Sequence, residues 1–500
     1  MTLHRKQFIL GGIAAACLAV AAPAFAQTGK LKVGLMLPYT GTFAALGNAI
    51  ENGFRLYVDE QGGKLAGREI EFVKVDDESD PAKATDNVNK LIKRDNVDVL
   101  VGTVHSGVAM AMAKAAKDSG TMLIVPNAGA DAVTGPMCAP HIFRSSFSNW
   151  QPGYAMGEVV AKRGHKKVVT ITWKYAAGDE SVGGFKESFT KAGGTIVKEL
   201  SLPFPGVEFQ ALLTEIASLK PDAVYTFFAG GGAVKFVKDY AAAGLKKSIP
   251  LYGAGFLTDG TLAAQGADAD GLMTTLHYGD SLEVPKDRTF RLNYAKAYKL
   301  QPDVYAVQGY DAAQILGIGL AATKGDVKNK AAFAAAVEKA RIESPRGTYT
   351  LGKTHNPVQD IYLRQVSGME NKVVGVASKS LADPGRGANH LLDQGLVDRL
   401  GLLLLDQLAV GDDHLAGRGI DDVLGRGTAE HAGRQRDDDV AGIDHRLHVD
   451  AAIGAAVLDR DDAVLGDVDE AARQIAGVGG LQCRVGETLA GAVGRVEVLE

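Results

Sequence analysis

Two short polar turns carry the groups in this sequence best suited to chemistry. His105-Ser106-Gly107 follows an apolar run, Val97–Gly102, and opens a small-residue helix over 107–119. Asn127-Ala128-Gly129 follows a second apolar run, Thr121–Val125. Adjacent His and Ser suggest a base and a nucleophile, but chain neighbours seldom face each other for proton transfer, and the turn is not G-x-S-x-G. Ser106 is therefore read either as a hydrogen-bond donor to a ligand or as the cap of helix 107–119. Backbone N–H groups at a helix start, Gly107 among them, suit an anion. Gly230-Gly231-Gly232 also follows a strand and opens a helix, yet without G-x-G-x-x-G or a Walker lysine. Close backbone approach or tight helix–sheet packing accounts for it. Asp76-Asp77-Glu78 lacks the spacing of oxygen ligands and reads as a solvated loop, and no Cys/His cluster has metal-ligand spacing. With no credible set of acid, base or metal, the chain reads as a binding protein, not an enzyme, with no cofactor.

Aromatic residues are sparse, but Tyr39, Trp173, Tyr175, Phe227, Phe228, Phe256 and Tyr278 fall near predicted strand ends. Rim packing would explain them individually. Their gathering on the edge that carries Ser106 suggests stacking faces for a flat ligand.

The elements that must position these residues alternate. Strand Leu31–Leu37, helix 41–60, strand Glu69–Val75, helix 82–94 and strand Val97–Gly102 come first. The rhythm restarts after Arg144 with helix 151–163 and strands Lys167–Trp173, Thr195–Leu200, Ala223–Phe228 and Pro250–Gly253, separated by helices. Three more helices lead to a strand pair, Ile361–Val366 and Val373–Ala377. Such alternation predicts an α/β fold with two similar lobes, each a mainly parallel sheet flanked by helices. Carboxyl strand ends are where such sheets bind ligands.

The 500 residues divide into two materials. Residues 388–500 hold 22 acidic and 10 basic residues and no Phe, Tyr, Trp, Lys, Met, Pro or Ser. Without aromatics a packed core is hard to build, so this stretch reads as an acidic low-complexity tail without a fold, either disordered or translated out of frame. At the other end, residues 1–26 read as a signal peptide: basic His4-Arg5-Lys6, apolar Phe8–Val20, then Ala24-Phe25-Ala26 as the cleavage site. No later segment reaches the ~18 apolar residues of a membrane span. The expected product is exported, monomeric, without stable membrane insertion and without a nucleic-acid partner. Cys138 and Cys483 remain after cleavage, and their pairing is left open.

LKVGLMLPYTG, GGKLAGREIEFVKVDDESDP, VDVLVGTVHSGVAMAMAKAAKDSG, KPDAVYTFFAGGGAVKFVKDYAAAGL and THNPVQDIYLR, in this order, resemble the branched-chain-amino-acid type (type I) of periplasmic binding protein. The resemblance covers about residues 30–387. It implies two lobes joined by three hinge crossovers, residues 30–147 with 281–355 and 148–280 with 356–387. It implies a periplasmic receptor that hands a small-molecule carboxylate to the permease subunits of an ABC importer. Carried over, the carboxylate half of the site is Ser106 with Asn127, Ala128 and Gly129, although Gly129 stands where amino-acid binders commonly have Thr. The ammonium half is missing: in Gly253-Ala254-Gly255-Phe256, Gly255 stands where those receptors place a Glu. A buried ammonium without a carboxylate costs on the order of several kcal/mol. Phe256, Phe228 and the Trp173-Lys174-Tyr175 loop supply an uncharged aromatic wall instead. The blocks are also similar to the subfamily binding benzoate-type acids such as 4-hydroxybenzoate. Members of it carry a late Cys that would pair with Cys138; here Ala388 stands in its place, which favours the out-of-frame reading of the tail. A branched-chain amino acid or amide as ligand, or a sensor feeding a signalling partner, are the alternatives.

Overall fold

The apolar runs become two sheets. In the computed structural model, which describes residues 29–385 and the backbone of two strands at 482–486 and 495–499, β1 (Leu31–Leu37) is buried at every residue but Lys32. A continuous apolar strand of this kind belongs inside a parallel sheet covered on both faces. Beside it lie β2 (Lys64–Leu65), β3 (Arg68–Asp76), β4 (Val99–Val101), β5 (Met122–Val125) and β6 (Ile142–Arg144). The order is β2-β3-β1-β4-β5-β6, parallel except for the short β2.

The second sheet begins with β7 (Lys167–Lys174), β8 (Thr195–Pro203), β9 (Ala223–Phe227), β10 (Leu251–Ala254) and β11 (Met273–Leu276), all parallel. It ends with antiparallel β12 (Ile342–Ser344), β13 (Gly347–Leu351), β14 (Pro357–Ser367) and β15 (Glu370–Leu381). Ile342, Tyr349 and Leu351 of β12 and β13 pack into the core under the first sheet, although β13 is hydrogen-bonded to β14 of the second. The chain passes between the lobes three times: after β6, after β11, and between β13 and β14.

These crossovers are stitched by buried side chains. Arg144 Nε donates to Asn356 Oδ1 at 2.7 Å. Arg346 donates to the carbonyls of Ser145 and Ser146, and Gln359 Nε2 donates to Ser146 O at 2.6 Å. Guanidinium and amide donors satisfy carbonyls that the irregular backbone leaves unpaired. Helix Val304–Ala322, with 15 of its 19 residues buried, crosses helix Ala44–Glu60 closely. A Cβ on Gly309 would lie 2.0 Å from Ile50 O, so only glycine permits that approach.

Asp77 departs from the solvated loop expected of it. It is fully buried and accepts from the Thr103 hydroxyl and from Ser79 N, tying the end of β3 to the turn before Ser106. Residues 482–486 and 495–499 pair as antiparallel β16 and β17. The signal peptide at 1–26, the Ala388 position and the rest of the acidic tail lie outside the described residues. Among the described residues no helix is long and apolar enough to cross a membrane.

Candidate functional site

The carboxyl ends of the parallel strands in both lobes face one small cavity, at the place where such sheets bind ligands. Phe43, Phe147, Phe227, Phe256, Tyr175 and Tyr305 form its walls, and Asn127 and Asn149 bring side-chain amides to it. Phe256 is the hub of the box: its ring centroid lies 4.7 Å from Phe147, 6.0 Å from Phe227 and 6.1 Å from Tyr305. Among the described residues no Lys, Arg, His, Asp or Glu lines the cavity.

Five of the residues singled out in the sequence meet here: Asn127, Gly129, Tyr175, Phe227 and Phe256. Ser106 lies one contact behind, its Oγ accepting from Asn149 Nδ2 at 3.2 Å. Gly107 N already donates to His105 Nδ1 at 3.1 Å, so His105 rather than Ser106 caps the helix Ser106–Ser119. Ala128 N donates to Thr103 O at 2.9 Å. Both donors are thereby occupied within the first lobe.

Alternation decides the aromatics. Phe227 faces the cavity, while Phe228, one residue on, packs against Phe209, Phe236 and Trp173 in the core. Trp173 is fully buried and donates its indole N–H to Gly206 O at 2.7 Å. Tyr278 is fully buried, its hydroxyl donating to Asp287 and accepting from Arg291. Tyr39 sits beside Lys74, whose Nζ is 4.2 Å above its ring. Gly255 lies off the lining, its carbonyl accepting from Arg364 Nη2 at 3.0 Å. A Cβ there would stand 2.5 Å from Arg364 Nη2 and 2.5 Å from Leu276 Cβ.

Phe43, Phe147, Asn149 and Tyr305 join the site without a clear mark in the sequence. The run Phe147-Ser148-Asn149 follows β6, a fifth parallel strand ending on the same edge, and that was the available signal. Tyr305 enters with the helix that Asp303 caps through Tyr305 N and Ala306 N, both at 3.0 Å. Asp followed by an apolar run is a helix start.

Electrostatically the cavity is neutral but not indifferent. Helices Ala176–Lys191 and Gly230–Ala242 both begin at its rim, and neither Tyr175 nor Ala229 caps its helix with a side chain. Their first N–H groups and dipoles favour negative charge. From the first lobe, Thr42 Oγ1 accepts from Gly232 N at 3.3 Å, so the glycine run serves close backbone approach between lobes. Glu180, whose carboxyl is raised by burial, accepts from Asn149 Nδ2 at 2.7 Å and from Asp131 N at 3.1 Å.

The sequence pattern of the periplasmic binding protein family matches residues 30–372. The chain belongs to that family. It is similar to an ABC-transporter solute-binding protein from R. palustris in complex with benzoate, with 55% identity and a TM-score of 0.71, over 72% of this chain and 100% of that one. It is also similar to a solute-binding protein from Rhodopseudomonas palustris BisB5 in complex with 3,4-dihydroxybenzoic acid, at 33% identity and TM-score 0.68, over 71% and 99% of the two chains. Among curated sequences, Leu/Ile/Val-binding protein homolog 6 of Brucella melitensis is 30% identical over 392 residues, 76% of this chain and 99% of that protein. The family and these neighbours give the type I periplasmic binding fold, a substrate-binding rather than enzymatic role in ABC transport, and a periplasmic setting.

Proposed function

We propose that this protein is the receptor of an ABC importer for an aromatic carboxylate of the benzoate class. The observation that carries the reading is the wall of the cavity: among the described residues, six aromatic rings, two amides and no acidic side chain. An α-amino acid would bring an ammonium with no carboxylate to meet it, at a cost on the order of several kcal/mol. A benzoate brings a ring to stack and one acceptor-only head group. Asn127, whose Nδ2 keeps one proton beyond its bond to Gln308 Oε1, is placed to donate to that head group, while Asn149 Nδ2 is held by Ser106 and Glu180, and the two helix starts supply the balancing positive potential. Crowding around Gly255 supports the same reading, because Arg364 and Leu276 fill the space a longer side chain would need.

The curated relatives named for Leu, Ile and Val favour a second reading, an aliphatic amino acid in the same cavity. A thermal-shift screen separates the two. A ligand that binds only the folded state raises stability by RT ln(1 + [L]/Kd), about 2.7 kcal/mol at 100 times Kd. Benzoate and its hydroxylated forms are expected to raise the melting temperature; a response to leucine alone would replace this proposal with the second reading.

A further inference from the structure

Behind Asn127 runs a chain of polar side chains that the shape of the cavity does not require. Asn127 Nδ2 donates to Gln308 Oε1 at 2.7 Å. Gln308 Nε2 in turn donates to His277 Nε2 at 3.3 Å. All three residues are buried. His277 Nδ1 has no hydrogen-bond partner among the described residues, and its ring stacks on Phe147 with centroids 5.6 Å apart. The chain thus joins a cavity amide, the helix Val304–Ala322 and the crossover that follows β11.

Each link can be reversed within its own volume. A carboxamide turned by 180° exchanges donor for acceptor, and a neutral imidazole carries one proton on either nitrogen. In the structure Nε2 of His277 accepts, which places the ring proton on Nδ1. With both amides turned, His277 Nε2–H donates to Gln308 Oε1 and Gln308 Nε2 donates to Asn127 Oδ1. Asn127 Nδ2 then keeps both protons for the cavity. Mixed arrangements set donor against donor or acceptor against acceptor in a buried site, so the chain reverses as a unit. Burial, with Arg346 and Arg364 nearby, holds the imidazole far below its ordinary pKa and therefore neutral, so the two states differ in tautomer and not in charge.

We propose that Asn127, Gln308 and His277 form a polarity relay, with Gln308 and His277 as positioning residues. A carboxylate against Asn127 selects the turned arrangement and moves the imidazole proton from Nδ1 to Nε2. One proton leaves Nδ1 and one is taken at Nε2, exchanged with water while the lobes are apart. The inference rests on the proposed benzoate-class ligand, with its carboxylate at Asn127.

The test is long-range 1H–15N correlation spectroscopy of the full chain labelled at histidine, with His277 assigned by its loss in His277→Gln. The ring proton is expected on Nδ1 in the ligand-free protein and on Nε2 with saturating benzoate. Two variants impose the Nε2 tautomer without ligand when their carboxyl is ionised: Asn127→Asp accepts from Gln308 Nε2, and Gln308→Glu accepts from His277 Nε2–H. Both should show the proton on Nε2. Gln308→Met should weaken benzoate binding about fivefold, the scale of one neutral hydrogen bond, and leave the tautomer unresponsive to benzoate. A proton that stays on Nδ1 in the benzoate complex, or in both imposing variants, overturns the relay. If calorimetry shows no benzoate binding, the functional reading falls and the two variants alone decide the relay.

Discussion

At the scale of single residues the cavity is defined by what is satisfied and what is not. Tyr305 Oη is buried at the cavity wall with no hydrogen-bond partner among the described residues, the kind of group a ligand can complete. Tyr305→Phe is expected to leave the folding free energy within about 1 kcal/mol of wild type and to weaken benzoate by about 1–3 kcal/mol. An unchanged Kd by calorimetry would remove Tyr305 from the site. His105 makes a different point. From the first lobe it stacks on Tyr175 at 4.8 Å while Nδ1 accepts from Gly107 N, so it must be neutral. Burial pushes its pKa down to about 4, against the weaker pull of Asp80. Between about pH 6.5 and 4 the unfolded chain binds this proton and the folded one does not, so its contribution is present above 6.5 and lost as pH falls. The loss is about 2 kcal/mol at pH 5. Asp77 and Asp303, pushed up by burial to about 6 and about 7, act in the opposite sense, because the folded protein binds their protons first. Urea unfolding at pH 8 and pH 5 should therefore compare wild type with His105→Gln. The wild type should lose about 2 kcal/mol more than the variant, and parallel losses would exclude this role.

At the scale of elements, some bounds follow directly from the run of residues and others do not. β1 coincides with its sequence bounds because a run interrupted only by Lys32 has one reading in a parallel sheet. The face of each strand-end aromatic was harder to read. Phe227 and Phe228 differ by one residue, and one residue flips a side chain between faces; only the packed partners Phe209, Phe236 and Trp173 reveal that Phe228 turns inward. Phe147 and Asn149, signalled only by the end of β6, were hard to read for another reason. They sit in a crossover whose path is fixed by Arg144, Arg346 and Gln359, residues far apart in sequence. The glycine run at the start of Gly230–Ala242 gives the element-scale test. Gly230 has φ +54, and a Cβ there would lie 2.3 Å from Thr42 O in the other lobe. Gly230→Ala should cost about 1–2 kcal/mol in stability for the left-handed backbone. It should also weaken ligand binding beyond that, because the clash exists only with the lobes together. Equal affinity in variant and wild type would show that closure does not need this approach.

At the scale of the molecule, two lobes enclose a neutral, aromatic cavity between carboxyl strand ends. The alternation of strands and helices carried the fold class, since parallel sheets leave few other solutions. The amide and glycine of one lobe, Asn127 and Gly129, and the rings of the other, Tyr175 and Phe256, were legible as strand-end residues. The enclosure was not, because it depends on how Phe43 and Tyr305 of one lobe meet Phe227 and Phe256 of the other. The central claim is that this enclosure selects an aromatic carboxylate over an α-amino acid. Titration calorimetry of the protein with benzoate and with leucine under identical conditions tests it most directly. Benzoate is expected to bind at least about 100-fold more tightly, roughly 2.7 kcal/mol; leucine binding as tightly as benzoate, or more tightly, would overturn the selectivity.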